Sequence, residues 1–304
     1  MKNHYLYAVM RAFPIPFASV LVLLLCAGAG ADACAQTATS LFMRSDSLQV
    51  EEIASPAPVL FGSVGHNGPA VENRFFALRL YFNDSGAIDL YSKSGEALEL
   101  EKYDWYPTRE QTLCEGAGID AYDVGRTLGF GGIALWDDGR LVRLKATEGR
   151  TARVGRTRDG SFAELTAYGV EFRGVKYDVC MRVEMKDRGR DAFLIVSELS
   201  GRELPFVCGL MCHDADTVDI GRRYISVWGS WSANDGSDDI SVGTGIKFRP
   251  AQIERFERRD GMLLLVCRPD SEAGFRLCAG SSKEDELGSY AKFVSYMKKL
   301  VFFN

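Results

Sequence analysis

The sequence predicts a mainly β protein, a large antiparallel β-sandwich that ends in a helix. Short apolar segments recur along the chain, and turn residues separate them at close to hairpin spacing. Long amphipathic helices do not alternate with these segments, which argues against a parallel α/β sheet. The last 25 residues alone show a clear helical period. The chain has 304 residues and a formal net charge of −5.

The first 35 residues have the pattern of a secretory signal peptide. Lys2 and Arg11 precede the apolar run "FASVLVLLLCAGAGA", and "ACA" at 33–35 has the small-x-small form of a cleavage site. We therefore expect a signal peptide over 1–35, a single domain over 36–304, and a periplasmic or secreted protein. A lipid anchor at Cys26 or Cys34 is the less favoured alternative. No later segment is long enough to predict a membrane span.

Residues 36–70 are rich in Pro, Gly and Ser and predict a loose lead-in. The first strong strand is "RFFALRLYF" (74–82), and "AIDLYS" follows a turn. A hairpin is predicted in "GGIALWDDGRLVRLKA", where Asp-Asp-Gly supplies the turn. Further strands are predicted at 151–155, 162–167, 176–186, 191–199, 205–212, 222–228, 242–248, 262–267 and 274–279.

The segment "SSKEDELGSYAKFVSYMKKLVFF" predicts the C-terminal helix. Ser282 is a candidate N-cap, and acidic residues follow it where they suit the helix dipole. Lys298 and Lys299 suit the other end, whereas Gly288 weakens the start. We expect this helix to pack on one sheet.

The charge of the chain limits its partners, and the positions of its cysteines limit the disulfides and metal sites it could form. The chain has no basic patch of the kind that nucleic acid requires, so we expect no nucleic-acid partner. Six cysteines remain beyond residue 35, mostly inside apolar runs, which favours buried free thiols with at most one disulfide. The pair Cys208 and Cys212 has no second Cys/His pair to complete a zinc site. No metal and no cofactor are predicted.

Five polar residues are candidates for catalysis. His66 lies in the loop "GHNGPA", close to Glu72, and His213 ends an apolar strand. Histidine serves as a general acid or base near neutral pH. Asp120 and Arg126 lie in a loop before "GFGGIALW". The simpler interpretations are a turn-capping His66 and a solvated His213. The glycines in "GFGGIALW" are predicted to allow a β-bulge, because no helix follows them as a nucleotide-binding loop would need.

Aromatic residues are candidates for binding sugar rings. Trp105 and Tyr106 lie in "YDWYPT", Trp228 in "WGSW", and Tyr177 in a predicted strand. Aromatic faces stack on sugar rings, although aromatic residues on strands more often fill a core. The spacing in "WGSW" places Trp228 and Trp231 on opposite faces of a strand.

Several segments together resemble a family of exported bacterial proteins that carries a numbered domain of unknown function. They are "GHNGPAVENRFFALRLYF", "AIDLYSKSGEALELEKYDWYPT", "VGRTLGFGGIALWDDGRL", "GVKYDVCMRVEM", "VWGSWS" and "SSKEDELGSYAKFVSYMKKL". The resemblance implies a galactose-mutarotase-like β-sandwich and a role in polysaccharide utilisation in Bacteroidetes-type bacteria, on pectin-like glycans. Similar members often carry an Asp-Asp pair where this chain has Ile119-Asp120.

The first functional hypothesis is an enzyme acting on acidic glycans. A lyase needs a base, a positive group that stabilises the enolate, and an acid for the leaving oxygen. His66 or His213 is the candidate base, Arg126 the positive group, and Tyr106 or Tyr177 the acid.

A hydrolase would instead use a carboxylate pair such as Glu72 and Asp120. Two further alternatives are a glycan-binding sandwich without catalysis and a mutarotase- or epimerase-like enzyme. The expected partner in each case is an oligo- or polysaccharide, or a free sugar, and the sequence predicts no oligomeric state.

Overall fold

A computed structural model describes residues 36–103, 107–232 and 239–302 of the chain. The strands, in chain order, are β1 Thr37–Ser40, β2 Glu52–Ser55, β3 Ala70–Asn73, β4 Phe76–Leu80, β5 Ile88–Ser92, β6 Phe130–Asp137, β7 Arg140–Val142, β8 Arg150–Arg156, β9 Gly160–Phe172, β10 Val175–Lys186, β11 Ala192–Glu198, β12 Phe206–Met211, β13 Thr217–Gly221, β14 Tyr224–Trp231, β15 Ile240–Lys247, β16 Ile253–Arg259, β17 Met262–Cys267 and β18 Glu272–Ser281. The helices are α1 Arg109–Cys114 and α2 Tyr290–Lys299, with 3₁₀ turns at Gly65–Asn67 and Pro250–Gln252.

The strands form three sheets. The largest has nine strands in the order β13-β14-β15-β18-β11-β10-β9-β8-β2. A five-stranded sheet has the order β16-β17-β12-β6-β7, and a four-stranded sheet has the order β1-β3-β4-β5. Every ladder between these strands is antiparallel. The predicted mainly β fold with antiparallel sheets is therefore confirmed.

One apolar cluster joins the three sheets. It includes Leu78 of β4, Leu165 of β9 and Leu265 of β17, each at most 1% exposed. Strand β3 packs on β9 and β10, and β18 packs on β5 and β6, so the large sheet faces both smaller ones. Full burial of each such leucine contributes about 1.5–3 kcal/mol to folding.

The prediction of a loose lead-in over 36–70 is wrong. β1 pairs with β3, and β2 pairs with β8, so this segment supplies an edge strand to two different sheets. Both strands have four residues and carry polar side chains, which leaves too short a period-two pattern to recognise. Strands β13 and β16, on the edges of their sheets, were missed as well.

The C-terminal helix is confirmed, but it begins later than predicted. The N-cap of α2 is Ser289, whose hydroxyl accepts a hydrogen bond from the Lys292 N–H, so Ser282 is not the cap. A glycine at 288 immediately precedes the cap, as expected from its weak helix propensity. Phe293 and Met297 are buried, and the helix packs on β14 and β15.

The glycines before "IALW" do allow a bulge. Between β6 and β12 the register shifts, because Ile133 pairs with Cys208 while Phe130 pairs with Leu210. Gly131 has φ of 83°, and a Cβ on Gly132 would lie 2.1 Å from the Leu128 carbonyl oxygen. A larger residue at either position would disturb the strand.

The six cysteines beyond residue 35 are free thiols, five of them buried, as predicted; the exposed one is Cys114, in α1. Among the residues described, no helix is both long and apolar enough to cross a membrane.

Candidate functional site

The outer face of the four-stranded sheet is polar yet buried. Alternation along β4 and β5 turns Leu78 and Leu90 into the core. The opposite face is covered by residues 97–103 and 118–120, which bond to it through backbone and side-chain groups. It carries five polar side chains, each at most 6% exposed: Glu72, Arg79, Asp89, Tyr91 and Lys93. Polar groups are seldom buried in such number without partners or a function.

His66 reaches this face from a tight turn between β2 and β3. His66 and Asn67 both have positive φ, 54° and 63°, a conformation that is uncommon outside glycine. The turn is anchored by hydrogen bonds from Gly65 N–H to the Phe42 carbonyl and from Phe82 N–H to the Asn67 carbonyl, both 2.8 Å. A Cβ on Gly68 would lie 1.8 Å from the Leu80 carbonyl oxygen, so glycine is required there. Two adjacent strained residues of this kind often mark a functional site.

The His66 pocket is lined by His66, Arg79, Tyr91, Glu99, Leu100, Tyr103 and Pro107. Its volume is about 10 Å³, which is room for one water-sized group. The Nε2 atom of His66 is buried and has no hydrogen-bond partner among the described residues. Burial lowers the pKa of His66 to about 3, the charge of Arg79 acts in the same direction, and a bond to the Leu100 backbone opposes them. His66 is therefore neutral at physiological pH, with a free ring nitrogen.

Arg79 holds two carboxylates beside the pocket. Its guanidinium pairs with Asp89, opposite it in β5, and with Asp120 from the loop before β6. The Tyr81 hydroxyl donates a 2.7 Å hydrogen bond to Asp89. Burial raises the pKa of Asp89 to about 7; Arg79 counteracts this, and the charge of Asp120 adds to it. Around neutral pH the cluster therefore exchanges a proton.

Glu99 is the carboxylate of the pocket lining. It accepts a 2.6 Å hydrogen bond from the Tyr91 hydroxyl and a 2.9 Å bond from the Gly118 N–H. Burial raises the pKa of Tyr91, and the neighbouring charge of Glu99 raises it further, so Tyr91 stays protonated. The pocket thus combines a neutral imidazole, a guanidinium, a carboxylate and a phenol.

Glu72 and Lys93 support the pocket from beneath. Their side chains are completely buried and form an ion pair. Glu72 also accepts 2.9 Å hydrogen bonds from the N–H groups of Glu99 and Leu100, while Lys93 donates to the carbonyls of Asn73 and Ala97. The predicted acid Glu72 has its acceptors occupied, so it fixes the wall of the pocket.

The other predicted catalytic residues lie elsewhere or act differently. Asp120 does not line the pocket itself, but it pairs with Arg79, which does. Arg126 is exposed, and its backbone carbonyl accepts a bond from Arg143. His213 is 49% exposed, its ring centroid is 4.4 Å from that of Trp231, and it is not part of the pocket lining.

Of the predicted sugar-binding residues, Trp228 packs on Phe293 of α2, with ring centroids 6.0 Å apart. Trp231 packs in the main core, which confirms that the two indoles face opposite ways. Tyr177 lies in the β9–β10 hairpin with Arg202 over its ring. Trp105 and Tyr106 lie outside the described residues, although Tyr103 and Pro107, on either side of residues 104–106, line the pocket.

Sequence reasoning missed Arg79, Asp89, Tyr91 and Glu99. The first three alternate with the apolar residues of β4 and β5, which was the available signal. Alternation gives the face of the sheet but not its burial, so the pattern alone does not distinguish these residues from a solvated face. In the described part of the chain, no group of three or more Cys, His, Asp or Glu residues is arranged to hold a metal ion.

Comparison with curated proteins gives no match. Among solved structures, the chain is similar to a 4-alpha-glucanotransferase from Thermococcus litoralis, with 11% identity and a TM-score of 0.32. The match covers 76% of this chain and 40% of that protein, so the chain spans less than half the length of its structural neighbour. The family model described as "Domain of unknown function (DUF4861)" matches residues 32–301, and the chain therefore belongs to the DUF4861 family.

Proposed function

We propose that the protein is an exported enzyme of polysaccharide utilisation that cleaves an acidic, pectin-like glycan by β-elimination. One observation carries the proposal. A neutral histidine with an unpartnered, buried Nε2 lines a pocket together with an arginine and two tyrosines. Those residue types match the base, the positive group and the acid that elimination next to a uronate carboxylate requires.

In the proposed reaction, His66 Nε2 removes the proton α to the carboxylate of a uronate unit. Arg79 lies where a positive charge offsets the developing enolate. The bond to the leaving glycosidic oxygen then breaks, and the hydroxyl of Tyr91 or Tyr103 supplies the proton that this oxygen takes up. The products are an unsaturated uronate and a new chain end. Arg79 replaces the sequence-predicted Arg126, and the lining tyrosines replace Tyr177, because they share the pocket with His66.

The charge state of Asp89 would tune this reaction. With Asp89 protonated, the charges of Arg79 and Asp120 offset each other, and Glu99 is the remaining carboxylate of the pocket lining. Above about pH 7 Asp89 ionises, and the cluster becomes net negative. We expect activity on uronates to fall on the alkaline side of this value.

The test is a panel of uronate polymers, including polygalacturonate, incubated with the chain from residue 36 to 304. Elimination gives a conjugated product that absorbs in the ultraviolet, whereas hydrolysis gives only new reducing ends. Ultraviolet absorbance that rises together with reducing ends supports the lyase. Reducing ends alone would indicate a hydrolase, and no product from the whole panel would refute the proposed enzyme.

A second candidate function is mutarotase- or epimerase-like proton transfer on a free sugar. The observation that favours it is the presence of His66 and Glu99 in one pocket, a base and an acid of the required types. Faster interconversion of sugar anomers, followed by polarimetry, would distinguish it from the lyase.

A further inference from the structure

The His66 pocket is too small to hold a whole sugar ring, so in the proposed reaction it admits only the reacting edge of one uronate unit. Its volume of about 10 Å³ compares with roughly 300–1,000 Å³ for pockets that bury small ligands. A second, open cavity of about 620 Å³ lies at the β1 edge of the four-stranded sheet, between β1 and the β8–β9 hairpin. We call it the β1 groove; its lining includes Thr37, Thr39, Glu101, Lys102, Arg156 and Ser161.

One stretch of chain, residues 98–103, lines both cavities. Leu98, Glu101 and Lys102 line the β1 groove, whereas Glu99, Leu100 and Tyr103 line the His66 pocket. Glu72 fixes this stretch through the N–H groups of residues 99 and 100, and Glu72 itself borders the groove. The two cavities therefore share a rigid wall, and a ligand in the groove lies next to the reactive pocket.

The groove presents preorganised polar groups. The Arg156 guanidinium is half-exposed and is held by the Thr37 hydroxyl at 2.7 Å, the Ser161 hydroxyl at 2.9 Å and Asp187 at 2.6 Å. Lys102 is 54% exposed and pairs with Glu115 across the surface. Each of these cations has an acidic partner and the lining also contains the carboxylate of Glu101, so the groove is rich in hydrogen-bond donors and acceptors of both charges. Such a lining suits sugar hydroxyls, and the two cations suit a uronate carboxylate.

We infer that the β1 groove binds the sugar units that flank the reacting unit of an oligouronate. The inference rests on the proposed function for its substrate class and adds the place where the body of the substrate lies. It implies that a long substrate binds more tightly than a short one, since only the long substrate fills the groove.

The experiment measures binding by calorimetry in the full chain carrying His66→Gln, which leaves the oligosaccharides intact. Galacturonate oligosaccharides of increasing length are titrated into this protein and into the same protein with Lys102→Ala added. Loss of one charge-assisted hydrogen bond should weaken binding of the long oligosaccharides about fivefold to tenfold and leave the shortest unchanged.

Lys176→Ala is the matched control. Lys176 is also an exposed lysine, 52% accessible, that pairs with an exposed glutamate, Glu148, but it lies outside both cavities. Its replacement should change no affinity. Equal weakening of long and short ligands by Lys102→Ala, no weakening at all, or no binding of any length would overturn the groove assignment. The turnover panel tests the reaction separately, so length-dependent binding without product would refute the lyase and keep the groove.

Discussion

His66 and His213 are the histidines of the described residues, and their surroundings differ in every respect that matters for proton transfer. His66 is 2% exposed, sits in a strained turn, and has a ring nitrogen without a partner. His213 is about half exposed at the end of β12, lies against Trp231, and has Asp216 within 3.7 Å. Sequence reasoning ranked the two alike, because both lie in polar segments next to strands.

The difference teaches that burial, rather than residue type, separates the two. Two non-glycine residues in the left-handed conformation and a buried ion pair hold the His66 region in place. It holds the His213 region with a backbone contact, the 2.6 Å bond from the His213 N–H to Asp216. A region that contains strained backbone and a buried ion pair is the better candidate for function.

The largest expected effect is on stability beneath the His66 pocket. Glu72→Gln leaves Lys93 as a buried cation without its ion partner, and such a loss costs about 3–5 kcal/mol. At the His213 end, Asp214→Asn removes only the 3.8 Å contact of an exposed carboxylate with Arg258, which should cost under about 1 kcal/mol. Urea denaturation of the two variants measures both. A loss below about 1 kcal/mol in Glu72→Gln would show that the pair does not support the pocket.

The next effect concerns turnover. His66→Gln should lower kcat on a uronate polymer by about 100-fold or more, the usual contribution of a general base. His213→Gln should leave kcat within about threefold, because that side chain does not line the pocket. Both variants need unchanged circular dichroism for the comparison to be valid. A larger loss of kcat in His213→Gln than in His66→Gln would indicate that His213 is the catalytic base.

The sequence predicted the sheets better than the site. Long strands such as β9 and β10 carry enough alternation to be recognised, and the C-terminal helix carries its 3.6 period. Four-residue edge strands such as β1 and β2 carry too few positions to show a period. Their pairing is decided by the neighbouring strands, which a local pattern does not contain.

For the site, the sequence supplied His66 and Asp120 but not their partners. Arg79 and Asp89 are ten residues apart, and only the hairpin register makes them neighbours. Burial of this face depends on residues 97–103, which fold across it. No local sequence pattern indicates this contact. The charged residues of β4 and β5 therefore had the sequence signature of a solvated face.

The pH dependence of stability sharpens the comparison further. His66 has a lowered pKa, so between about pH 3 and its ordinary value of 6.5 the unfolded chain binds the extra proton, and stability rises with pH. Asp89 has a raised pKa, so between its ordinary value of 3.8 and about 7 the native state binds the extra proton, and stability falls with pH. The two slopes oppose each other over most of the same window.

Single variants should separate these slopes. In Asp89→Asn the falling contribution is lost, so stability should rise more steeply from pH 4 to pH 6.5 than in the unmodified protein, while His66→Gln should show the reverse. Each unit of pKa shift corresponds to about 1.4 kcal/mol, which makes differences of roughly 1–4 kcal/mol across the window measurable by denaturation at several pH values. Parallel curves for all three proteins would contradict the assignment of either shift.

The smallest effect is expected at the His213 side chain itself. His213→Ala keeps the backbone N–H that Asp216 accepts from, and it removes a half-exposed ring whose main contact is Trp231, so it should cost under about 1 kcal/mol. Asp216→Ala should cost more, about 1–2 kcal/mol, because the Asp216 side chain is 3% exposed and its loss leaves that N–H without its acceptor. Thermal denaturation of the two variants gives the order directly. If His213→Ala were the more destabilising variant, the imidazole would be stabilising this end of β12. The two histidines would then differ only in their capacity for proton transfer.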